Sequence, residues 1–138
     1  MSVAVTVGAR LPSFVVEAVD PGRMATMAAL LDDPTPIHLD RVEAARQGFG
    51  ERRVNQGPMA IGYALEMLRR WSGDPDPATR LRIRFLDNVF EGERLTCDGE
   101  VVTVDPKAGT CTIEFVVTSG ERKVAAGSAT VRLSGSRR

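Results

Sequence analysis

Residues 54–75 read VNQGPMAIGYALEMLRRWSGDP, and they decide how the chain folds. Pro58 suits the first turn of a helix, where a missing N–H costs nothing. From Met59 to Leu65 no residue carries a charge, and polarity enters only with Glu66, Arg69 and Arg70. A helix that is apolar on every side at its start is buried there. Ser72-Gly73-Asp74-Pro75 then stops it. One buried helix needs a cover, and the flanking sequence supplies one.

Downstream the apolar period changes from helical to two. In LRIRF, residues 81–85, Leu81, Ile83 and Phe85 share one face and the arginines the other. In TCTIEFVV, residues 110–117, Cys111, Ile113, Phe115 and Val117 alternate with Thr110, Thr112, Glu114 and Val116. Residues 94–104 and 123–133 give two more strands, and four strands joined by short turns predict an antiparallel meander. Upstream, LPSFVVEAV (11–19) reads as a strand, Asp20-Pro21-Gly22 as a turn and Arg23–Leu31 as a short helix. A second short helix is expected over Asp40–Gln47, with Asp40 as its N-cap and Gly48 as its stop. SGSRR at 134–138 reads as a polar, fraying tail. The expectation is an α+β chain forming one domain over residues 1–138, with a curved antiparallel sheet wrapped around a long central helix.

Composition narrows the function. The chain has 138 residues and balances 18 basic against 18 acidic side chains. Zero net charge argues against a nucleic-acid partner. No apolar run approaches the roughly 18 residues of a membrane span. MSVAVTVGARLP lacks the pattern of a secretory leader, so a cytoplasmic protein is expected. One histidine and two distant cysteines do not make a metal site. A hairpin centred near Lys107 would set Cys97 opposite about residue 117 rather than opposite Cys111, so both thiols should be free.

Two segments carry candidate chemistry. The first is DDPTPIHLD, residues 32–40, which holds the only histidine. Pro34 and Pro36 stiffen the link and push Asp33 and Thr35 toward extended backbone. A stiff link fits a carboxylate and an imidazole aimed at one small volume. A plain solvated loop fits the same residues. The second segment is Asn55-Gln56-Gly57-Pro58-Met59, at the start of the buried helix. Free N–H groups there favour a developing negative charge, and Gly57 lets a ligand approach the backbone, although an ordinary helix start whose glycine serves packing fits the same residues. Arg52 and Arg53 could reach a phosphate or simply be solvated. Arg80, Arg82 and Arg84 form a positive row on one strand face, which fits either a CoA-facing stripe or a solvated outer face.

Asp33-x-x-Pro36-Ile37-His38-x-Asp40, followed by Ala44, Gly48-Phe49 and Gly57-Pro58-Met59, resembles the MaoC-like family of R-specific enoyl-CoA hydratases and β-hydroxyacyl dehydratases. That family has a hot-dog fold and the pattern Asp-x-Asn-Pro-(Ile/Leu)-His, then Gly-Phe, then (Ala/Val)-His-Gly-Met. The resemblance implies that Asp33 and His38 are the acid–base pair and that the Gly57 N–H binds the thioester oxygen. It implies water addition across the α,β double bond of an acyl thioester, with no cofactor beyond the substrate's own CoA or carrier protein. Thr35 stands where the family has Asn, and Asn55-Gln56 where it has (Ala/Val)-His. These departures, with Pro58, set the expected lining of the substrate site and suggest a bulky or specialised acyl group. A homodimer is expected, since hot-dog domains of this size resemble ones that pair side by side. The competing readings are a hot-dog thioesterase and a non-catalytic subunit of a heteromeric hydratase.

Overall fold

A computed structural model describes residues 5–133 of the chain. The polar tail at 134–138 lies outside the described residues. Strand β1 (Phe14–Val16) leads to helix α1 (Pro21–Leu31), a single 3₁₀ turn (Pro36–His38) and helix α2 (Arg41–Arg46). Helix α3 (Gly57–Ser72) follows, and then strands β2 (Ala78–Phe85), β3 (Leu95–Asp105), β4 (Thr110–Ser119) and β5 (Arg122–Arg132).

Local chemistry sets most of the boundaries. Asp20 caps α1 by accepting from the Gly22 N–H at 2.9 Å. Asp40 caps α2 by accepting from Val42 and Glu43, as its sequence position predicts. Gly48, just past α2, takes a left-handed φ of 89° that few other residues adopt without strain. Helix α3 opens with Gly57 and Pro58 and closes at Gly73, whose φ is 74°.

The strands form one antiparallel sheet in the order β1-β3-β4-β5-β2. The β3–β4 hairpin pairs Cys97 with Val117 and Cys111 with Val104, which is the register expected from the turn, and both thiols are free. Met67 and Leu68 of α3 pack against Leu95, Val101, Ile113, Val117, Val124 and Val131 of the sheet, all fully buried. Each such side chain contributes about 1.5–3 kcal/mol. Small residues set the spacing. A Cβ on Gly99 would lie 3.1 Å from both Ile113 and Met67, so α3 sits close to β3 there.

The expected curved wrap does not form. The sheet is open, with β1 and β2 as unpaired edges at opposite sides, and it is neither closed nor strongly curled around the helix. Helix α3 lies across one face. It buries Met59, Ala60, Ala64, Met67 and Leu68 while Gly62, Arg69 and Arg70 stay exposed. The physical reason is that alternation fixes which face of a strand is apolar but not how far the sheet bends. The ends of the sheet also lack strand to close with. β1 spans three residues rather than the nine expected, although Leu11 and Val19 still donate to Gly99 and Glu93 carbonyls at 2.9 Å. β2 keeps Leu81 and Ile83 only half buried, and Phe85 is exposed.

Candidate functional site

The loop between α1 and α2 holds Asp33 and His38. Helix α1 ends at Asp32, which adopts a left-handed conformation with φ 51°. The Asp33 N–H then bonds the Ala28 carbonyl at 2.9 Å, fastening the loop to the helix it leaves. Thr35 is extended (φ −55°, ψ 117°), as a residue before proline should be. Pro36 starts the 3₁₀ turn that ends on His38.

Asp33 Oδ1 accepts two hydrogen bonds from Thr35, at 3.0 Å from its N–H and 2.5 Å from its hydroxyl. The hydroxyl bond, then the backbone bond, hold this carboxyl below the usual carboxylate range. Burial opposes them, and His38 adds a smaller downward push. Thr35 therefore fixes one carboxylate oxygen. The other, Oδ2, faces His38 Nε2 at 3.9 Å.

His38 is held from behind. Its Nδ1 lies 2.6 Å from the Val54 carbonyl oxygen. A carbonyl only accepts, so Nδ1 carries a proton toward it, and in the neutral form of the ring the lone pair is presented at Nε2. Val54 is itself fixed, since its N–H donates to Ile37 O at 2.8 Å and it bridges to Phe90. The histidine side chain is 14% exposed and the aspartate 31%, so both are reachable.

Three residues beyond Val54, Gly57 begins α3. Its N–H is one of the donors a helix end leaves without an internal acceptor. Phe85, at the end of β2, lies against it: a Cβ on Gly57 would stand 3.1 Å from the ring. Pro58 follows, exposed, in the same first turn. The pinning of His38 to Val54 thus brings the two candidate segments together.

Asn55 and Gln56 turn inward. Asn55 donates from Nδ2 to Met59 Sδ at 2.9 Å and accepts from the Tyr63 hydroxyl at 3.4 Å. Gln56 donates to the Met24 carbonyl of α1 at 2.8 Å, and its buried Oε1 has no partner among the described residues. Both amides tie the start of α3 to its surroundings. The two arginines before them are likewise engaged. Arg52 stacks over Phe90 at 3.7 Å, and Arg53 donates to Leu39 O at 3.1 Å and lies 3.8 Å from Glu91.

Sequence reasoning missed Val54 and Glu91. Val54 acts through its backbone carbonyl, which no residue type announces. Glu91 accepts from Arg41 at 2.5 Å and from the Arg53 N–H at 2.6 Å, stapling α2 to the segment that carries Val54. The bond from Arg41, above all, keeps the Glu91 carboxyl lowered. Its signal in the sequence was one acid among eighteen acidic residues.

The family model for the MaoC like domain matches residues 5–125. The chain belongs to this family of acyl-thioester hydratases and dehydratases built on the hot-dog fold. Among solved structures it is similar to the (R)-hydratase from A. caviae involved in PHA biosynthesis, with a TM-score of 0.84 and 24% identity over 94% of this chain and 98% of that one. The R-hydratase PhaJ1 from Pseudomonas aeruginosa gives a TM-score of 0.84 and 21% identity over 94% and 82%. A chain of the ChsH1–ChsH2 complex from Mycobacterium tuberculosis gives 0.81 and 21% over 94% and 99%. No curated protein sequence matches this chain. No helix among the described residues is long and apolar enough to cross a membrane.

Proposed function

We propose that this chain is a hydro-lyase that adds water reversibly across the α,β double bond of an enoyl thioester carried on CoA or a carrier protein. The observation that carries the reading is the His38–Val54 bond, which leaves Nε2 and Asp33 Oδ2 facing one another 3.9 Å apart. A water oxygen about 2.8 Å from each completes a triangle on that base. Such a water donates one proton to each acceptor and turns a lone pair toward the substrate.

The chemistry follows from the two basicities. Asp33, with its carboxyl held low by Thr35, is the weaker base and anchors the water. His38 Nε2 takes the proton as the water oxygen bonds to the β-carbon. The resulting negative charge moves to the thioester oxygen, where the Gly57 N–H and the end of α3 stabilise it. The imidazolium then returns a proton to the α-carbon. One O–H bond and the C=C π bond break, one C–O and one C–H bond form, and no redox partner is required. Dehydration is the reverse path. Asn55 and Gln56 act here by holding the start of α3 in place.

A single domain over residues 1–138 is part of the same proposal, as is a homodimer. The β2 edge is open, and exposed hydrophobic side chains lie at its end (Phe85 and, just beyond it, Leu86) and around α2 (Leu39 before it and Val42 within it). A second copy would cover such an edge, which is otherwise a liability.

The test is hydration of trans-2-enoyl-CoAs, followed as loss of the enoyl-thioester absorbance, with Asp33→Asn beside the wild type. Asparagine keeps the shape and the acceptor for Thr35 but replaces Oδ2 or its charge. Turnover should fall by about 10²–10⁴-fold in a folded protein. Full activity in that variant would remove the pair from the mechanism. Hydrolysis of saturated acyl-CoA to free CoA, without hydration, would favour the thioesterase reading instead.

A further inference from the structure

A groove of about 780 Å³ runs between β1, the start of α1 and α3. Its lining includes none of Asp33, His38, Gly57 or Phe85, so the chemistry proposed above leaves it without a role. Phe14, Val16, Met27 and Met59 give it an apolar floor. Gly62 leaves it open above the helix, with nothing within 4 Å of where a Cβ would stand. The size falls within the range of small-molecule sites, roughly 300–1,000 Å³.

The polar groups around it are unequal. Glu17 is paired with Arg94 at 3.1 Å, and Glu66 with Arg70 at 2.9 Å. Asp20 is occupied as the cap of α1. Arg70 also stacks over Phe14 at 4.6 Å. Arg23 has no carboxylate within ion-pair distance among the described residues. Beside it the Tyr63 hydroxyl makes only a long 3.4 Å bond to Asn55. Burial raises the Tyr63 pKa, with Arg23 opposing, so the phenol stays a donor. One uncommitted cation and one weakly used donor thus converge on an apolar trough. The fixed carboxylates around them would repel a dianion, which leaves a singly charged acceptor as the complementary head group.

We propose that this groove binds an apolar monocarboxylate, its chain over Phe14, Val16, Met27 and Met59 and its head group between Arg23 and the Tyr63 hydroxyl. The site is separate from the catalytic loop, and its occupancy is read without turnover.

Titration calorimetry of the intact protein with decanoate, and with 1-decanol as the uncharged counterpart, tests this. One equivalent of decanoate should bind, and decanol at least tenfold more weakly. Arg23→Gln should weaken decanoate about tenfold at an unchanged melting temperature. Gly62→Leu should abolish binding by filling the trough, since open space there lets the fold accept the side chain. No binding to the wild type would overturn the assignment. So would equal affinity for decanol, or full affinity in Gly62→Leu. Binding lost in His38→Ala but intact in Gly62→Leu would place the ligand at the catalytic loop and overturn it equally.

Discussion

Consider Gly57→Ala, at the first residue of α3. The new Cβ would fall 3.1 Å from Phe85 Cζ and 3.4 Å from Cε1 and Cε2. Those atoms end a ring that is 52% exposed on an edge strand, so it can swing by a few tenths of an ångström. An off-rotamer shift of that kind costs about 0.5–1.5 kcal/mol. Gly57 is not among the residues with positive φ, so alanine adopts its backbone and recovers about 0.4–1 kcal/mol by restricting the unfolded chain. The two effects nearly cancel, and the melting temperature should move by less than about 5 °C. The chemical effect is of another size. In the proposed site, a methyl group beside the Gly57 N–H would displace the thioester oxygen from its donor, and losing one such donor costs about 10²–10³-fold. Activity on crotonyl-CoA should therefore fall about a hundredfold in kcat/KM while thermal melting barely changes. The double variant Gly57→Ala, Phe85→Ala relieves the ring contact and should stay slow. Wild-type kcat/KM in the single variant, or full rescue in the double, would refute the placement of the thioester oxygen at this helix end.

Three other outcomes follow from the same geometry. Thr35→Val removes the hydroxyl bond that most lowers the Asp33 pKa, so that pKa should rise. An NMR pH titration of the Asp33 carboxyl would show its midpoint displaced upward, and an unmoved midpoint would refute the role given to the hydroxyl. Gly127→Ala should prevent stable folding or lower the melting temperature by 10 °C or more, because its Cβ would lie 2.0 Å from the Arg82 carbonyl oxygen and 2.8 Å from Phe115. Thermal melting reads this, and a wild-type curve would contradict the β2–β5 packing. Cys97, buried and with its pKa pushed up to about 12 by that burial, should resist thiol reagents at pH 8 until the protein is denatured.

Much of the fold was legible because short-range chemistry wrote it. Asp40 capping α2, Gly48 turning the chain after it and Cys97 facing Val117 each depend on a few adjacent residues. The curl of the sheet was not legible. It depends on how far β1 and β2 extend at opposite edges, and β1 gives up regular pairing outside Phe14–Val16 despite an apolar run. The candidate site divides in the same way. Asp33, Thr35 and His38 lie within six positions, and their spacing and prolines mark them. Val54 contributes a main-chain oxygen from sixteen residues away, and Asn55 and Gln56, polar letters that suggested substrate contact, fold inward to Met59, Tyr63 and Met24.

The bond from His38 Nδ1 to the Val54 carbonyl has a consequence for isotope traffic. A ring fastened at one nitrogen to an acceptor that cannot ionise has a single port. A proton that arrives at Nε2 cannot leave through the other side to bulk solvent. It must depart by the way it came, onto the substrate or the water beside it. In the proposed dehydration, a deuteron lifted from the α-carbon would therefore pass from Nε2 to the departing hydroxyl rather than through the ring to bulk solvent. Rehydration of the bound product before that water escapes would return part of the label to the α-carbon.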